Sequence, residues 1–115
     1  MGDQNLNLIL SEAKSSDVVM ICNPHNPTGQ FIPDLELYDL LQQIPKDVSV
    51  IIDEAYIDFV SSGHKVPVHL WINDFPNLLV VRSFSKTFGL AGLRMGYVIG
   101  NSRVIEDIKK LTMPF

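Results

Sequence analysis

The stretch richest in chemistry is Ser83-Phe84-Ser85-Lys86-Thr87-Phe88-Gly89-Leu90-Ala91-Gly92-Leu93-Arg94. Two hydroxyls flank an aromatic, a lone lysine follows, and an arginine stands eight positions beyond the lysine. An amine set among apolar neighbours and near a second cation resists protonation and attacks carbonyls. Hydroxyls and a guanidinium together suit a phosphate. One ligand needs both features: an aldehyde that carries a phosphate.

Three more residues join this set. Asp53 follows directly on the apolar run Val48 to Ile52, and an acid there needs a cation or donors nearby. Asn26 lies within Asn23-Pro24-His25-Asn26-Pro27-Thr28-Gly29, the strongest turn chemistry in the chain. Tyr56 closes Asp53-Glu54-Ala55-Tyr56. Each residue alone has a plainer reading. Lys86 is then a solvated lysine, Asp53 a helix cap or surface pair, and Asn26 the holder of a turn. Arg94 is a structural ion pair, and Tyr56 a core ring with its hydroxyl on backbone. Together they meet every need of pyridoxal phosphate. That cofactor takes a lysine at its aldehyde and a carboxylate that keeps its ring nitrogen protonated. It also takes donors at its phenolate oxygen, and hydroxyls plus a cation at its phosphate.

The elements that must position these residues follow from the apolar runs. Val18 to Cys22 reads as a strand buried on both faces and Val48 to Ile52 as a second buried strand; Leu78 to Val81 is a third strand and Met95 to Ile99 a fourth. Residues 5–13 read as a short helix or the tail of a connection, broken by Ser15-Ser16-Asp17. Pro33 opens a helix with Asp34 and Glu36 in its first turn, and Pro45 closes it. Its apolar positions Leu37, Leu40, Leu41 and Ile44 share one face. Ser61 to His64 is a loop, His69 to Ile72 a helical turn, and Trp71 a packing residue. Residues 102–111 form a last helix, with Ser102 as cap, Val104, Ile105, Ile108 and Leu111 on one face, and Pro114 as its stop. Strands joined by crossovers give an α/β fold with a mostly parallel sheet. Ligands of such sheets bind beyond the carboxyl ends of the strands. Asn26, Asp53 and the Ser83 to Lys86 stretch each follow a strand, so three strand ends deliver polar groups to one rim.

Composition excludes several other classes. The chain has 115 residues, about one domain, with 46% hydrophobic and 19% charged residues, which reads as globular. A net charge of -4 and the lack of a basic run argue against nucleic acid as a partner. Met1-Gly2-Asp3-Gln4-Asn5 has neither the basic start nor the apolar core of a signal peptide. Leu6 stands where a myristoylation signal wants Ser or Thr. The apolar runs are too short to span a bilayer, so no membrane partner is expected. The single cysteine, Cys22, excludes an internal disulfide and suits a reducing, cytoplasmic location. Cys22 and His25 have plausible metal-ligand spacing, but no second pair follows and His64 and His69 stand apart, so no metal site is expected. No nucleotide-binding phosphate loop is present either.

Asn26-Pro27-Thr28-Gly29, Asp53-Glu54-Ala55-Tyr56, Ser83-Phe84-Ser85-Lys86 and the Arg94 that follows Gly89-Leu90-Ala91-Gly92-Leu93 resemble the fold type I, class I/II aminotransferases, which depend on pyridoxal phosphate. Residues 52–59 and 87–97 look most like the histidinol-phosphate aminotransferase branch, with threonine-phosphate decarboxylase a close relative. The resemblance implies that Lys86 bonds the coenzyme covalently and later moves the proton between the substrate Cα and the coenzyme. It implies that Asp53 pairs with the pyridine nitrogen, and that Asn26 and Tyr56 donate to O3′. Ser83, Ser85 and Arg94 would hold the phosphate. It further implies that the fourth strand runs antiparallel to the rest.

Members of this family are several times longer. By resemblance, residues 1–115 are a central part of the cofactor-binding large domain, without the N-terminal part or the C-terminal small domain. The implied substrates are a small-molecule amino donor and a 2-oxo acid, histidinol phosphate and 2-oxoglutarate, in an enzyme that is a homodimer at full length. Threonine-phosphate decarboxylation and aromatic transamination stay open on these residues. A reading of another class also stays open: a non-catalytic structural fragment whose exposed sheet edge and faces self-associate.

Overall fold

The computed structural model describes residues 4–64 and 67–112, with the backbone alone at position 64. The expected helix stop at Pro114, the reading of Met1 to Asp3 and the His64 side chain lie outside the described residues. Helix α1 spans Leu6–Ala13, strand β1 Val18–Cys22, helix α2 Asp34–Gln43 and strand β2 Ser49–Asp53. Strand β3 spans Leu78–Ser83, β4 Gly96–Gly100 and helix α3 Ser102–Leu111, with short 3-10 turns between β2 and β3 and before β4. The sheet order is β1-β2-β3-β4; the first three strands are parallel and β4 is antiparallel to β3. The α/β class, the mostly parallel sheet and the reversed last strand are therefore as expected.

The core lies on one face of the sheet. Ile21, Val50, Ile52, Leu78 and Val80 point to that face and are buried, and α2 covers them with Leu37, Leu40, Leu41 and Ile44. Asp34 and Glu36 sit at the positive end of α2, as anticipated. Trp71 packs edge-on against Tyr38 with ring centroids 5.0 Å apart, so it is a packing residue. It stands in a 3-10 turn over Val68–Asn73. Residues Ser62–His64, read as loop, form another such turn.

The opposite face corrects two expectations. β1 is not buried on both sides: Val18 and Met20 are 52% and 63% exposed. An unbroken apolar run carries no alternation, so it cannot tell a strand covered twice from one covered once. α3 covers only part of this face, where Ile105 approaches Gly100 and Leu79. Leu111, placed on its apolar face by spacing, is 86% exposed. Its cap is Asn101, not Ser102: the Asn101 side chain accepts from the Arg103 amide at 3.1 Å. Two good capping types stand side by side here, and the one whose backbone stays extended is the one that caps.

The β3–β4 pairing depends on a close approach. A methyl group at Gly96 would lie 2.7 Å from the Arg82 carbonyl oxygen, closer than any real contact of that kind. Gly96→Ala is expected to destabilise the fold by about 1–3 kcal/mol through this overlap. Urea unfolding of the two proteins measures it, and an unchanged midpoint would show that β4 sits further from β3.

Candidate active site

The site is built where β1, β2 and β3 end. Cys22 pairs with Asp53 and Asp53 with Val81 across the three strands. Hydrogen bonding continues past the strand ends: the Asn23 amide donates to the Asp53 carbonyl at 2.9 Å and the Glu54 amide to the Val81 carbonyl at 2.8 Å. The three segments thus leave the sheet side by side.

The loop after β1 is held by a residue that sequence reading passed over. Asn23 is 1% exposed. Its Nδ2 donates to the Ile32 carbonyl at 3.0 Å and its Oδ1 accepts from the Ile32 amide at 2.8 Å. This two-way clasp closes the loop at its base. Gly29 allows the tight return with φ of 74°. The repeated Asn-Pro pair was the available signal that two asparagines divide the work, Asn23 inside and Asn26 outside. Asn26 is exposed at the loop's outer side.

Asn26, Asp53 and Tyr56 meet around one cavity of about 120 Å³, with Cys22 and Pro24 completing its wall. A larger cavity of about 510 Å³ adjoins it, sharing Asn26 and Tyr56 and adding Phe31 and Phe59; Asp53 lines only the smaller one. Of these two cavities, only the smaller is lined by a carboxylate. Asp53 is half-buried, and its Oδ1 accepts from the Ala55 amide at 2.9 Å, which orients the carboxyl group.

Lys86 stands across the rim with Nζ 6.0 Å from the centre of the Tyr56 ring. It is exposed, contrary to the apolar surroundings expected from its neighbours in sequence. The chain has already left the sheet at Ser83, and a loop beyond a strand end runs over the surface. Thr87 anchors this loop, its Oγ1 donating to Asp58 Oδ2 at 3.0 Å. Ser83 and Ser85 are half-buried and adjacent, with the Ser85 amide donating to Ser83 Oγ at 3.0 Å. Arg94 caps the 3-10 turn Ala91–Leu93 in the left-handed region, φ 51°. A non-glycine residue there is uncommon. Its guanidinium lies on the Ala91 carbonyl at 3.4 Å, and among the described residues no hydrogen bond joins it to Ser83 or Ser85. The structure therefore brings Asn26, Asp53 and Tyr56 around one cavity, sets Lys86 6.0 Å from the Tyr56 ring, and holds Ser83 and Ser85 against each other at the end of β3. It leaves Arg94 at the far end of the same loop.

Among the described residues no cluster of three His, Cys, Asp or Glu side chains could hold a metal ion, and no helix is long and apolar enough to cross a membrane. The side chains gathered here are of the types that pyridoxal phosphate would take. The oriented carboxylate of Asp53, the amide of Asn26 and the phenol of Tyr56 line one cavity, and the Lys86 amine lies 6.0 Å from the centre of the Tyr56 ring.

Cys22 reports on this cavity. Burial pushes its thiol above the usual range, and the Asp53 carboxylate beside it adds to the rise. Replacing Asp53 by Asn removes the second cause, so more thiolate is present at a given pH. Iodoacetamide is expected to label Cys22 severalfold faster in Asp53→Asn than in the parent at pH 8. Equal rates would separate the two side chains.

Comparison with known proteins agrees with the motifs. Residues 3–115 match the family model for aminotransferase class I and II. The chain is 47% identical over 98 residues to histidinol-phosphate aminotransferase 1 of Dechloromonas aromatica, covering 85% of this chain and 27% of that protein. Histidinol-phosphate aminotransferase from Sinorhizobium meliloti, solved in complex with pyridoxal-5′-phosphate, superposes with a TM-score of 0.87 at 28% identity, over 94% of this chain and 30% of that one. L-threonine-O-3-phosphate decarboxylase from Porphyromonas gingivalis superposes with a TM-score of 0.77 at 31% identity, over 85% of this chain and 29% of the other. The chain thus spans little more than a quarter of the length of the curated relatives it matches. By the match along its length and by its fold, the chain belongs to the class I and II aminotransferases, an enzyme family.

Proposed function

We propose that this chain is the central part of the cofactor-binding domain of a pyridoxal-phosphate-dependent aminotransferase. One observation carries the reading: Asn26, Asp53 and Tyr56 line a single cavity at the strand ends, and the Lys86 amine lies 6.0 Å from the Tyr56 ring. The amino donor is histidinol phosphate and the acceptor 2-oxoglutarate, in a cytoplasmic homodimer. Relatives such as the histidinol-phosphate aminotransferase 1 of Dechloromonas aromatica, 47% identical, support that donor.

Pyridoxal phosphate, when bound, supplies an electron sink for charge that develops at the substrate Cα. The rest is done by side chains. Lys86 would hold the coenzyme at its aldehyde and would serve as the general base that moves the proton between the substrate Cα and the coenzyme. The Asp53 carboxylate, oriented by the Ala55 amide, holds the proton on the ring nitrogen. Asn26 and Tyr56 donate to the ring oxygen from the cavity wall. Ser83, Ser85 and Arg94 would hold the phosphate.

The same rim also serves a threonine-phosphate decarboxylase, which loses carbon dioxide in place of the Cα proton, and the Porphyromonas gingivalis structure supports that second reading. Rates of the complete protein with histidinol phosphate, threonine phosphate and aromatic amino acids separate the two. The open side of the sheet, at Val18 and Met20, favours self-association of the chain on its own.

Borohydride treatment of the protein with pyridoxal phosphate is expected to fix the coenzyme onto Lys86, as read by peptide mass. Lys86→Ala should abolish both this adduct and transamination, because among the described residues no other side chain near the cavity supplies an amine; turnover near the parent's would remove Lys86 from the mechanism. Arg94→Ala should weaken coenzyme affinity by about tenfold or more while changing kcat less, the loss of a charged phosphate contact. An unchanged affinity would make Arg94 a purely structural turn residue.

A further inference from the structure

Glu54 has no part in the chemistry above, yet it is 2% exposed and follows Asp53 directly. Side chains alternate along a strand, so Glu54 points to the other side of the sheet from Asp53. There its Oε2 accepts from Arg82 Nε at 2.7 Å, an ion pair between side chains 1% and 24% exposed. Arg82 also stands opposite Tyr97, its cross-strand partner on β4. Tyr97 packs against Phe84 with ring centroids 5.4 Å apart, and Phe84 against Phe88 at 5.6 Å. All members of this chain of contacts except Tyr97 are close in sequence to a rim residue. Glu54 adjoins Asp53, Arg82 adjoins Ser83, and Phe84 and Phe88 bracket Ser85 and Lys86.

Stability alone does not account for the pair. Taking two charges out of water is costly, and well-packed apolar side chains in their place are often as stable or more so. What an apolar pair lacks is direction. A guanidinium N–H aimed at one carboxylate oxygen fixes the distance between two chain segments just where the sheet ladder runs out, past the Glu54 amide on the Val81 carbonyl.

We propose that Glu54, Arg82 and Tyr97 are positioning residues that set the spacing between Asp53 and the Ser83 to Lys86 loop from behind the sheet, and thereby the fit of pyridoxal phosphate between them. The inference rests on the coenzyme reading given above.

The test uses the complete protein and four variants: Glu54→Gln, Arg82→Lys, Arg82→Met, and the double variant Glu54→Leu with Arg82→Met. Melting temperature without coenzyme, coenzyme affinity, and the pH midpoint of the absorption band of Lys86-bound coenzyme are measured for each. The double variant should melt near the parent, since the unpaired charge is gone. Its coenzyme affinity should nonetheless fall by about ten- to a hundredfold, with a displaced band midpoint, because the rim is no longer held in register. Arg82→Lys should fall between the parent and Arg82→Met. A stable double variant with the parent's affinity and band overturns the positioning role and makes the pair a packing element. If the double variant does not fold, Glu54→Gln, of the same shape, decides: weaker affinity with a displaced midpoint supports the role, and unchanged values overturn it. A parent protein that forms no such band overturns the coenzyme reading itself, and this extension with it.

Discussion

The hydrogen-bond register between the parallel strands is the constraint on which the rest depends. A shift of one residue in such a pairing turns every side chain to the opposite face. Cys22 stands opposite Asp53, and Asp53 opposite Val81. Slipping β2 by one position would send the Asp53 carboxylate into the core and Glu54 into the cavity. The register is secured by the one-sided core: Ile21, Val50, Ile52, Leu78 and Val80 are buried only in this pairing. Burial of a few aliphatic side chains on one face thus aims an acid on the other.

Around this frame, local hydrogen bonds set the details. Asn23 clasps Ile32 and leaves the neighbouring loop free to project Asn26. The Ala55 amide orients Asp53, and Thr87 ties the lysine loop to Asp58. None of these anchors touches a reacting atom in the proposed chemistry. They act by removing freedom from the side chains that do, which is how a site on loops gains the precision of one on a strand.

Much of this was legible in the residues. Polar groups placed at the ends of apolar runs announced the rim, because parallel sheets gather strand ends on one side. The helix over Asp34–Gln43 was legible from Pro33, two early acids and a leucine face. Other features needed coordinates. The pairing of Glu54 with Arg82 spans 28 positions and exists only once β2 and β3 are aligned. The open flank of β1 is hidden in Val-Val-Met-Ile-Cys, where every residue is apolar whichever way it points. β2 begins at Ser49 and reaches Asp53, one step later than its apolar residues suggest, because ladder bonding does not stop where hydrophobicity does. The reversal of β4 came from family likeness alone, since a connection of this length serves either direction.

The strands lie across the sheet in the same order as along the chain. A polypeptide leaves the ribosome from its amino end, and folding can begin before synthesis is finished. Here each new strand finds its neighbour already emerged, so within this segment the sheet can be extended outward, one strand at a time. No position has to be kept vacant for a later arrival, and contacts between adjacent strands stay comparatively near in sequence.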